Sequence, residues 1–304
     1  MSSGGVLGLD VGGSSVKFLL ADGTVRERPE PILRGRRETP ADDPVEGLRA
    51  IAEEVRGTGA EPTRIVVSIP GIVDEERGAV IRSTNVPALD DTLLAQELGA
   101  RTGVPVTVIN DGHAAAISEA AWGAGAGHED VFVLALGTGI AGAHVVRGEV
   151  VPGAHGSAGE LGHITIEPGG RVCSCGRRGC LETVIGAPAL AEAWRAAGGS
   201  GGPEQLLGAY GEGSPEAASV VEHAAEGLAE AILTLCALVD PGCIVIGGGL
   251  AAEPHHLVSL ARDAATARAS FHRIPPIVPA ALGGWAGAYG TVLRGLADAR
   301  VALA

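Results

Sequence analysis

Glu160-Leu161-Gly162-His163, Cys173-Ser174-Cys175 and Gly179-Cys180-Leu181-Glu182 place one imidazole, three thiols and two carboxylates within 23 residues. Three cysteines and a histidine match the Cys₃His set of a closed, tetrahedral structural zinc site, with thiolates at about 2.3 Å and imidazole at about 2.0 Å. Free thiols or a disulfide are the competing readings. Cys236 and Cys243 lie in apolar runs and read as core, whereas Cys173, Cys175 and Cys180 sit among Ser, Gly and Arg, the composition of a tight loop. An odd cysteine count and the lack of a secretory pattern weigh against disulfides. A metal bound by His163, Cys173, Cys175 and Cys180 would staple the loop, so Glu160 and Glu182, which bracket it, would present two acceptors and one imidazole to a polar ligand.

Phosphate chemistry is written elsewhere in the chain. Asp10 ends an apolar run and is followed by Val11-Gly12-Gly13-Ser14-Ser15, a turn whose exposed N–H groups can cradle phosphate oxygens because glycine allows close backbone approach. Leu136-Gly137-Thr138-Gly139 offers a second such turn, and Gly247-Gly248-Gly249 a third after the run Ile244-Val245-Ile246. None fits a P-loop or a dinucleotide fingerprint. Asp10 is expected to hold Mg²⁺ directly or through water. Asp111, at the end of another apolar run, is expected to act as a base, its alternative role being a helix cap. Lys17, the single lysine, follows the first turn and reads as an ordinary strand residue rather than a phosphate ligand.

These groups must be carried by a folded chain, and 304 residues with 46% hydrophobic content suffice for two domains. A net charge of −14 argues against a nucleic-acid partner, which would need clustered Lys and Arg. No uninterrupted apolar stretch approaches the length of a membrane span, and no basic segment precedes a long apolar one, so no membrane association and a cytoplasmic location are expected.

The apolar pattern predicts strands over Val6–Asp10, Val16–Ala21, Arg64–Ile69 and Val104–Ile109, and helices over Pro44–Arg56, Asp90–Thr102 and His113–Trp122. The pattern then restarts with strands over Val131–Leu136 and Ala143–Val146, so two glycine-bearing hairpins lie about 125 residues apart, which suggests duplicated halves. Residues 187–240 read as mostly helical with a break at Gly198–Gly202, and a last helix, Trp285–Ala297, closes the chain. The fold class is α/β.

The motifs Asp10-Val-Gly-Gly, Pro70-Gly71, Asn85-Val-Pro, Asn110-Asp111, Leu136-Gly-Thr-Gly, Glu160-x-Gly-His163, Cys173-x-Cys-Gly-x-x-Gly-Cys-x-Glu182 and Asp240-Pro followed by Ile-Gly-Gly-Gly-Leu occur in one order. In that order the chain resembles the ROK (repressor, open reading frame, kinase) family, in particular its glucokinase-like sugar kinases. The resemblance spans essentially the full length. It implies two ribonuclease-H-like domains of the actin/hexokinase superfamily with an interdomain cleft. The expected N-terminal domain covers residues 1–111 with a returning helix at 289–304, and the C-terminal domain, with the zinc loop, covers 112–288. It implies ATP, Mg²⁺ and structural Zn²⁺, a small-molecule sugar as partner, and a homodimer or homotetramer. Residue by residue, Asp111 looks like the base, and Asn85, Asn110, Asp111, Glu160, His163 and Glu182 like the sugar ligands. Asp10, Gly12, Gly13, Ser14, Gly137, Thr138, Gly139, Gly247, Gly248 and Gly249 look like the nucleotide side. The implied activity is ATP-dependent phosphorylation of the C6 hydroxyl of a hexose, glucose first. Alternatives are mannose, fructose or an N-acetylhexosamine as acceptor, polyphosphate as donor, or a non-catalytic sugar-sensing regulator. Ser68 stands where glycine is usual, Gly112-His113 replaces a common small pair, and Ala141 replaces a glycine. His113 reads as a helix residue, with a contact to sugar or phosphate as its alternative.

Overall fold

The computed structural model describes residues 5–24, 28–83, 85–251 and 257–301. The chain divides into two units, Met1–Trp122 with Gly284–Ala304, and Gly123–Gly283.

In the first unit the elements run β1 (Gly5–Val11), β2 (Ser15–Asp22), β3 (Leu33–Glu38), α1 (Pro44–Gly57), β4 (Pro62–Ile69), β5 (Ile72–Asp74), β6 (Ala79–Arg82), α2 (Leu94–Thr102), β7 (Val106–Asn110) and α3 (Asp111–Trp122). The main sheet has the order β3-β2-β1-β4-β7. β1 pairs antiparallel with β2 but parallel with β4, and β4 pairs parallel with β7. β1 and β4 are buried along almost their whole length, the near-continuous apolar pattern of strands covered on both faces. α1 covers one face: Val45, Leu48, Ile51, Ala52 and Val55 recur at helical spacing and are buried, while the Asp43 carboxylate accepts the Glu46 N–H at 2.9 Å as N-cap and Pro44 fits the first turn.

The second unit runs β8 (Asp130–Leu136), β9 (Ile140–Val146), β10 (Glu149–Val150), α4 (Glu182–Ile185), α5 (Ala187–Ala196), α6 (Pro203–Gly211), α7 (Pro215–Leu238), β11 (Cys243–Gly247), α8 (Leu257–Arg268) and β12 (Ile277–Pro279). Its sheet order, β10-β9-β8-β11-β12, repeats the first: an antiparallel hairpin edge followed by parallel strands. The repeated hairpins seen in the sequence are thus repeated sheets. The long α7, capped by Ser214, buries Ala217, Val221, Ala225, Leu228, Ile232 and Leu235 in the core of this unit.

The last helix, α9 (Ala286–Val301), belongs to the first unit; residues 302–304 of the expected helix lie outside the described residues. The division falls after α3, at Trp122, whereas the sequence pattern suggested Asp111. α3 stays with the first unit because the Ser118 hydroxyl donates to Ala286 O at 2.8 Å and Trp122 meets Tyr289 edge to face.

Among the differences from the sequence expectations, three have a direct physical reason. α2 starts at Leu94 rather than Asp90, because the Asp90 carboxylate accepts the Ser83 N–H at 2.7 Å and Thr92 pairs with Val80. α3 starts at Asp111 rather than His113, because Asn110 caps it. β3, Leu-Arg-Gly-Arg-Arg-Glu, has no apolar alternation to announce it and lies at the sheet edge, where charge is tolerated. Among the described residues no helix is long and apolar enough to cross a membrane.

Candidate active site and metal centre

In the first unit β1, β4 and β7 run parallel, so their carboxyl ends lie along one edge of the sheet, the edge at which open α/β sheets bind ligands. Asp10, Asn110 and Asp111 all sit at that edge. Register puts Ser68 of β4 and Lys17 of β2 on either side of Asp10. The Ser68 hydroxyl donates to Asp10 Oδ1 at 2.9 Å, and Lys17 Nζ is 3.5 Å from Oδ2. Ser68 therefore does have a partner that glycine would lack, and Lys17 pairs with a carboxylate. The turn after Asp10 is closed by the Gly12 N–H donating to Ser15 O at 2.9 Å, and an added Cβ on Gly13 would come within 3.4 Å of Asn85, which brings exposed Asn85 beside Gly12, Gly13 and Ser14.

Asn110 and Asp111 form the β7–α3 junction. The Asn110 side chain donates from Nδ2 to Gly71 O at 2.9 Å and accepts the His113 N–H on Oδ1 at 3.1 Å, so it caps α3 and ties it to the Pro70-Gly71 turn. Asp111 accepts the Gly112 N–H at 2.9 Å. Burial pushes the Asp111 carboxyl above the usual carboxylate range, and the negative charge of Asp10 adds to the effect. A partly desolvated carboxylate with raised proton affinity is suited to act as a base.

Sequence reasoning missed Glu75. Its Oε1 accepts the Asn110 N–H at 3.0 Å and lies 2.7 Å from His113 Nδ1. Burial opposes ionisation of this carboxyl, but the bonds from His113 and Asn110 outweigh it and hold Glu75 below its ordinary value. Glu75 falls in a charged run, Asp74-Glu75-Glu76-Arg77, that gives no signal of a buried contact. His113, read as a helix residue, sits on α3 with its ring on Glu75.

In the second unit two glycine turns pack together. The Gly137 N–H donates to Gly139 O at 3.0 Å around Thr138, and the Leu250 N–H returns from the Gly247-Gly248-Gly249 turn to Leu136 O at 3.1 Å. Gly248 has φ +91° and its α-carbon faces Leu136 O so closely that a Cβ would collide with it. Ala141, the other departure, stands opposite Ala135 in the β8–β9 ladder, and nothing in the structure gives its methyl a role.

The metal loop is built by local bonds. Cys173 donates its N–H to Arg177 O at 2.8 Å, and the Arg177 guanidinium donates to His163 O at 3.2 Å and to Thr165 Oγ1 at 2.9 Å. Gly179 has φ +70° and lies against Glu167 O, where only glycine fits. The ligand atoms of His163, Cys173, Cys175 and Cys180 all lie within 4.8 Å of one another. A tetrahedral ion with the usual bond lengths separates two thiolates by about 3.8 Å and a thiolate from an imidazole nitrogen by about 3.6 Å. Cys175 Sγ and Cys180 Sγ are 3.7 Å apart, and Cys173 Sγ and His163 Nδ1 are 3.6 Å apart. Disulfide sulfurs would be about 2.05 Å apart, so these thiols are free. Burial and the neighbouring thiols push Cys180 up to about 12, whereas Cys175, helped first by the Arg177 backbone N–H, is lowered. The residues fit a zinc ion as ligands.

The cysteine loop and the Gly137-Thr138-Gly139 turn are joined through Glu182. Its Oε1 accepts from Ser174 Oγ at 3.3 Å and lies 4.0 Å from Cys173 Sγ, while its Oε2 accepts the Ile140 N–H at 3.1 Å beside the Gly137-Thr138-Gly139 turn. Glu160 is exposed, with Oε2 3.8 Å from His163 Nε2. The structure thus gathers Asp10, Gly12, Gly13, Ser14, Asn85, Asn110 and Asp111 at one edge of the first unit. It gathers Glu160, His163, Glu182 and the cysteines, together with the neighbouring glycine turns, in the second.

The ROK family model matches residues 6–294. The glucokinase of Thermotoga maritima is 34% identical over 263 residues, covering 81% of this chain and 82% of that protein. A ROK hexokinase of Thermus thermophilus has a TM-score of 0.88 at 32% identity, over 98% of this chain and 99% of that one. A ROK glucokinase from Streptomyces griseus, crystallised with glucose and AMPPNP, has a TM-score of 0.76 at 28% identity, over 96% of this chain and 99% of that one.

Purified protein is expected to carry one zinc per chain, and adding zinc to metal-free protein near neutral pH should release protons, because the Cys180 thiol must ionise to bind. Elemental analysis and a pH-stat titration measure the two, and a metal-replete preparation without zinc would contradict the assignment. In metal-free protein the Asp111 carboxyl should titrate above the ordinary value of about 3.9 and move down in Asp10→Asn, where the like charge is gone. Carboxyl NMR titration reads this directly, and an Asp111 value unchanged by the substitution would refute the coupling.

Proposed function

The chain belongs to the ROK family, and from that membership we propose that it is an ATP-dependent hexose kinase acting on the C6 hydroxyl of glucose. The observation that carries the proposal is the state of Asp111: half-buried at the first residue of α3, just after β7, raised in proton affinity, and close enough to feel the charge of Asp10. A carboxylate so placed takes the proton of a sugar hydroxyl as its oxygen attacks the γ-phosphorus of ATP. The bond from that phosphorus to the bridging oxygen breaks and ADP leaves with the electron pair. Mg²⁺ bound with ATP would neutralise charge on the phosphates, and Asp10, its carboxylate steadied by Ser68, would hold it directly or through water. Gly12, Gly13 and Ser14 in the first unit offer backbone N–H groups to phosphate oxygens, and so do the turns at Gly137-Thr138-Gly139 and Gly247-Gly248-Gly249 in the second. Because little covalent chemistry is asked of the protein, positioning accounts for most of the rate.

Sugar recognition falls to Asn85, Asn110, Glu160, His163 and Glu182. With His163 Nδ1 in the cysteine cluster, Nε2 keeps its proton and donates to a hydroxyl, the role that metal ligation fixes for the far nitrogen. Glu182 and Asn110 already spend some of their hydrogen-bonding capacity on Ile140 and Gly71, which holds them in place for what remains. Zinc, which His163, Cys173, Cys175 and Cys180 would hold, would supply rigidity and no step of the reaction. The same reading carries a cytoplasmic location, where thiolates stay reduced, and a homodimer or homotetramer.

The test is a coupled ADP-release assay over glucose, mannose, fructose, N-acetylglucosamine and N-acetylmannosamine, with polyphosphate run in parallel as donor. Glucose with ATP should give the highest kcat/KM. Asp111→Asn should keep sugar binding while losing about 10²-fold or more in kcat. ADP release with none of these sugars would refute the kinase and leave a sugar-sensing regulator.

A further inference from the structure

The N–H of Asn110 poses a problem for the fold. It belongs to the last residue of β7, an edge strand, and the residue after it is Asp111. An edge strand has no ladder acceptor on its outer side, so an N–H pointing there would be left to water. The structure supplies an acceptor from outside the sheet: Glu75, which follows β5, accepts this N–H on Oε1 at 3.0 Å. The same oxygen is 2.7 Å from Nδ1 of His113, two residues beyond Asp111, so one carboxylate oxygen grips the chain on both sides of Asp111. The other oxygen faces Arg294 of α9 at 3.6 Å. Arg294 Nε donates to Asp298 Oδ1 at 3.0 Å, and Asp298 Oδ2 accepts the Thr107 hydroxyl on β7 at 2.8 Å. The circuit closes on the strand where it began. Both side chains of the central contact are largely shielded, Glu75 27% and His113 17% exposed. Bonds to an ionised carboxylate are the stronger kind, so the clamp is stiff.

We propose that Glu75 is a positioning residue for the Asp111 base: with His113 it fixes the β7–α3 junction, and through Arg294 it braces that junction against the C-terminal helix. The proposal rests on the reading of Asp111 as the base. It gives a reason for His113 at a position where the family resemblance implies a small residue. It also separates Glu75 from the sugar and phosphate ligands, since Glu75 acts on the backbone that carries Asp111.

The experiment compares wild type, Glu75→Ala and Glu75→Gln, each alone and combined with Asp111→Asn. Displacements of about 1 Å at a reacting group cost up to about 10²-fold in rate. Glu75→Ala should therefore lower kcat about tenfold or more with hexose KM within about twofold, and Glu75→Gln, whose amide oxygen still accepts both bonds, should stay within about threefold of wild type. In the Asp111→Asn background Glu75→Ala should cost nothing further, because its effect passes through that carboxylate. Hydrogen exchange of the Asn110 amide should quicken in Glu75→Ala and recover in Glu75→Gln, a readout independent of turnover. Should Glu75→Ala fail to fold, His113→Ala removes one of the two bonds and should lower kcat about threefold or more. A kcat unchanged in both alanine variants, a Gln variant no better than Ala, or equal losses with and without Asp111 would overturn the proposal. Absence of wild-type turnover on any hexose would overturn the kinase reading itself and the positioning role with it.

Discussion

Three thiols and an imidazole converge within 4.8 Å, an arrangement that fits a tetrahedral cation. Without one, Cys180 stays protonated, its thiol pushed up by burial and by the sulfurs beside it, and thiolates at that spacing would repel. The loop from Glu160 to Glu182 is tied by backbone bonds, among them Ile166 N–H to Gly179 O at 2.8 Å and Leu181 N–H to Ile164 O at 3.0 Å, and by Arg177, and it lends Leu161 and Leu181 to the core of its unit. Beside that packing, His163, Cys173, Cys175 and Cys180 form the kind of ligand set by which small metal-binding loops are held. Its consequences reach beyond the loop. Glu182 stands two residues after Cys180, with one oxygen on Ser174 and the other on the Ile140 N–H, so the metal loop and the Gly137-Thr138-Gly139 turn are linked by a single carboxylate. His163 is fixed at Nδ1, which leaves Nε2 beside Glu160.

The first unit solves its positioning problem without a metal loop. Parallel strands deliver Asp10 and Asp111 to one edge of the sheet, and each carboxylate is then held by a different set of neighbours. Asp10 is pinned by Ser68 and Lys17. Asp111 accepts the Gly112 N–H, and the junction on which it sits is capped by Asn110 and gripped by Glu75. That difference suits their proposed roles. A group that holds a cation benefits from strong, charge-stabilising partners, while a base needs free lone pairs and a proton affinity that burial keeps high.

Much of this could be read from the chain. The strand-end position of Asp10 and Asp111 followed from apolar runs that stop at those residues, and the repeat of the hairpin at Val131 after the one at Val6 appears in the structure as two sheets of equivalent order. The clustering of Cys173, Cys175, Cys180 and His163 was legible because metal binding demands specific atoms at short spacing, which stand out from any packing pattern. What stayed hidden depends on contacts between residues distant in sequence. Glu75 reaches Asn110 across 35 positions, and nothing in Asp74-Glu75-Glu76-Arg77 marks one of its charges as shielded. Ser68 was visible as a departure, but its bond to Asp10 spans 58 positions and follows from strand register alone. β3 escaped notice because an edge strand needs no apolar alternation, and the start of α2 moved because Asp90 and Thr92 had partners elsewhere.

The central claim is that a Cys₃His-bound zinc orders the loop that carries Glu160, His163 and Glu182. X-ray absorption at the zinc edge of the purified protein tests it most directly, because the nearest-neighbour scattering counts sulfur and nitrogen donors separately. The account predicts three sulfurs at about 2.3 Å and one nitrogen at about 2.0 Å. A zinc ion surrounded by oxygen and nitrogen donors alone, or bound without sulfur, would contradict it.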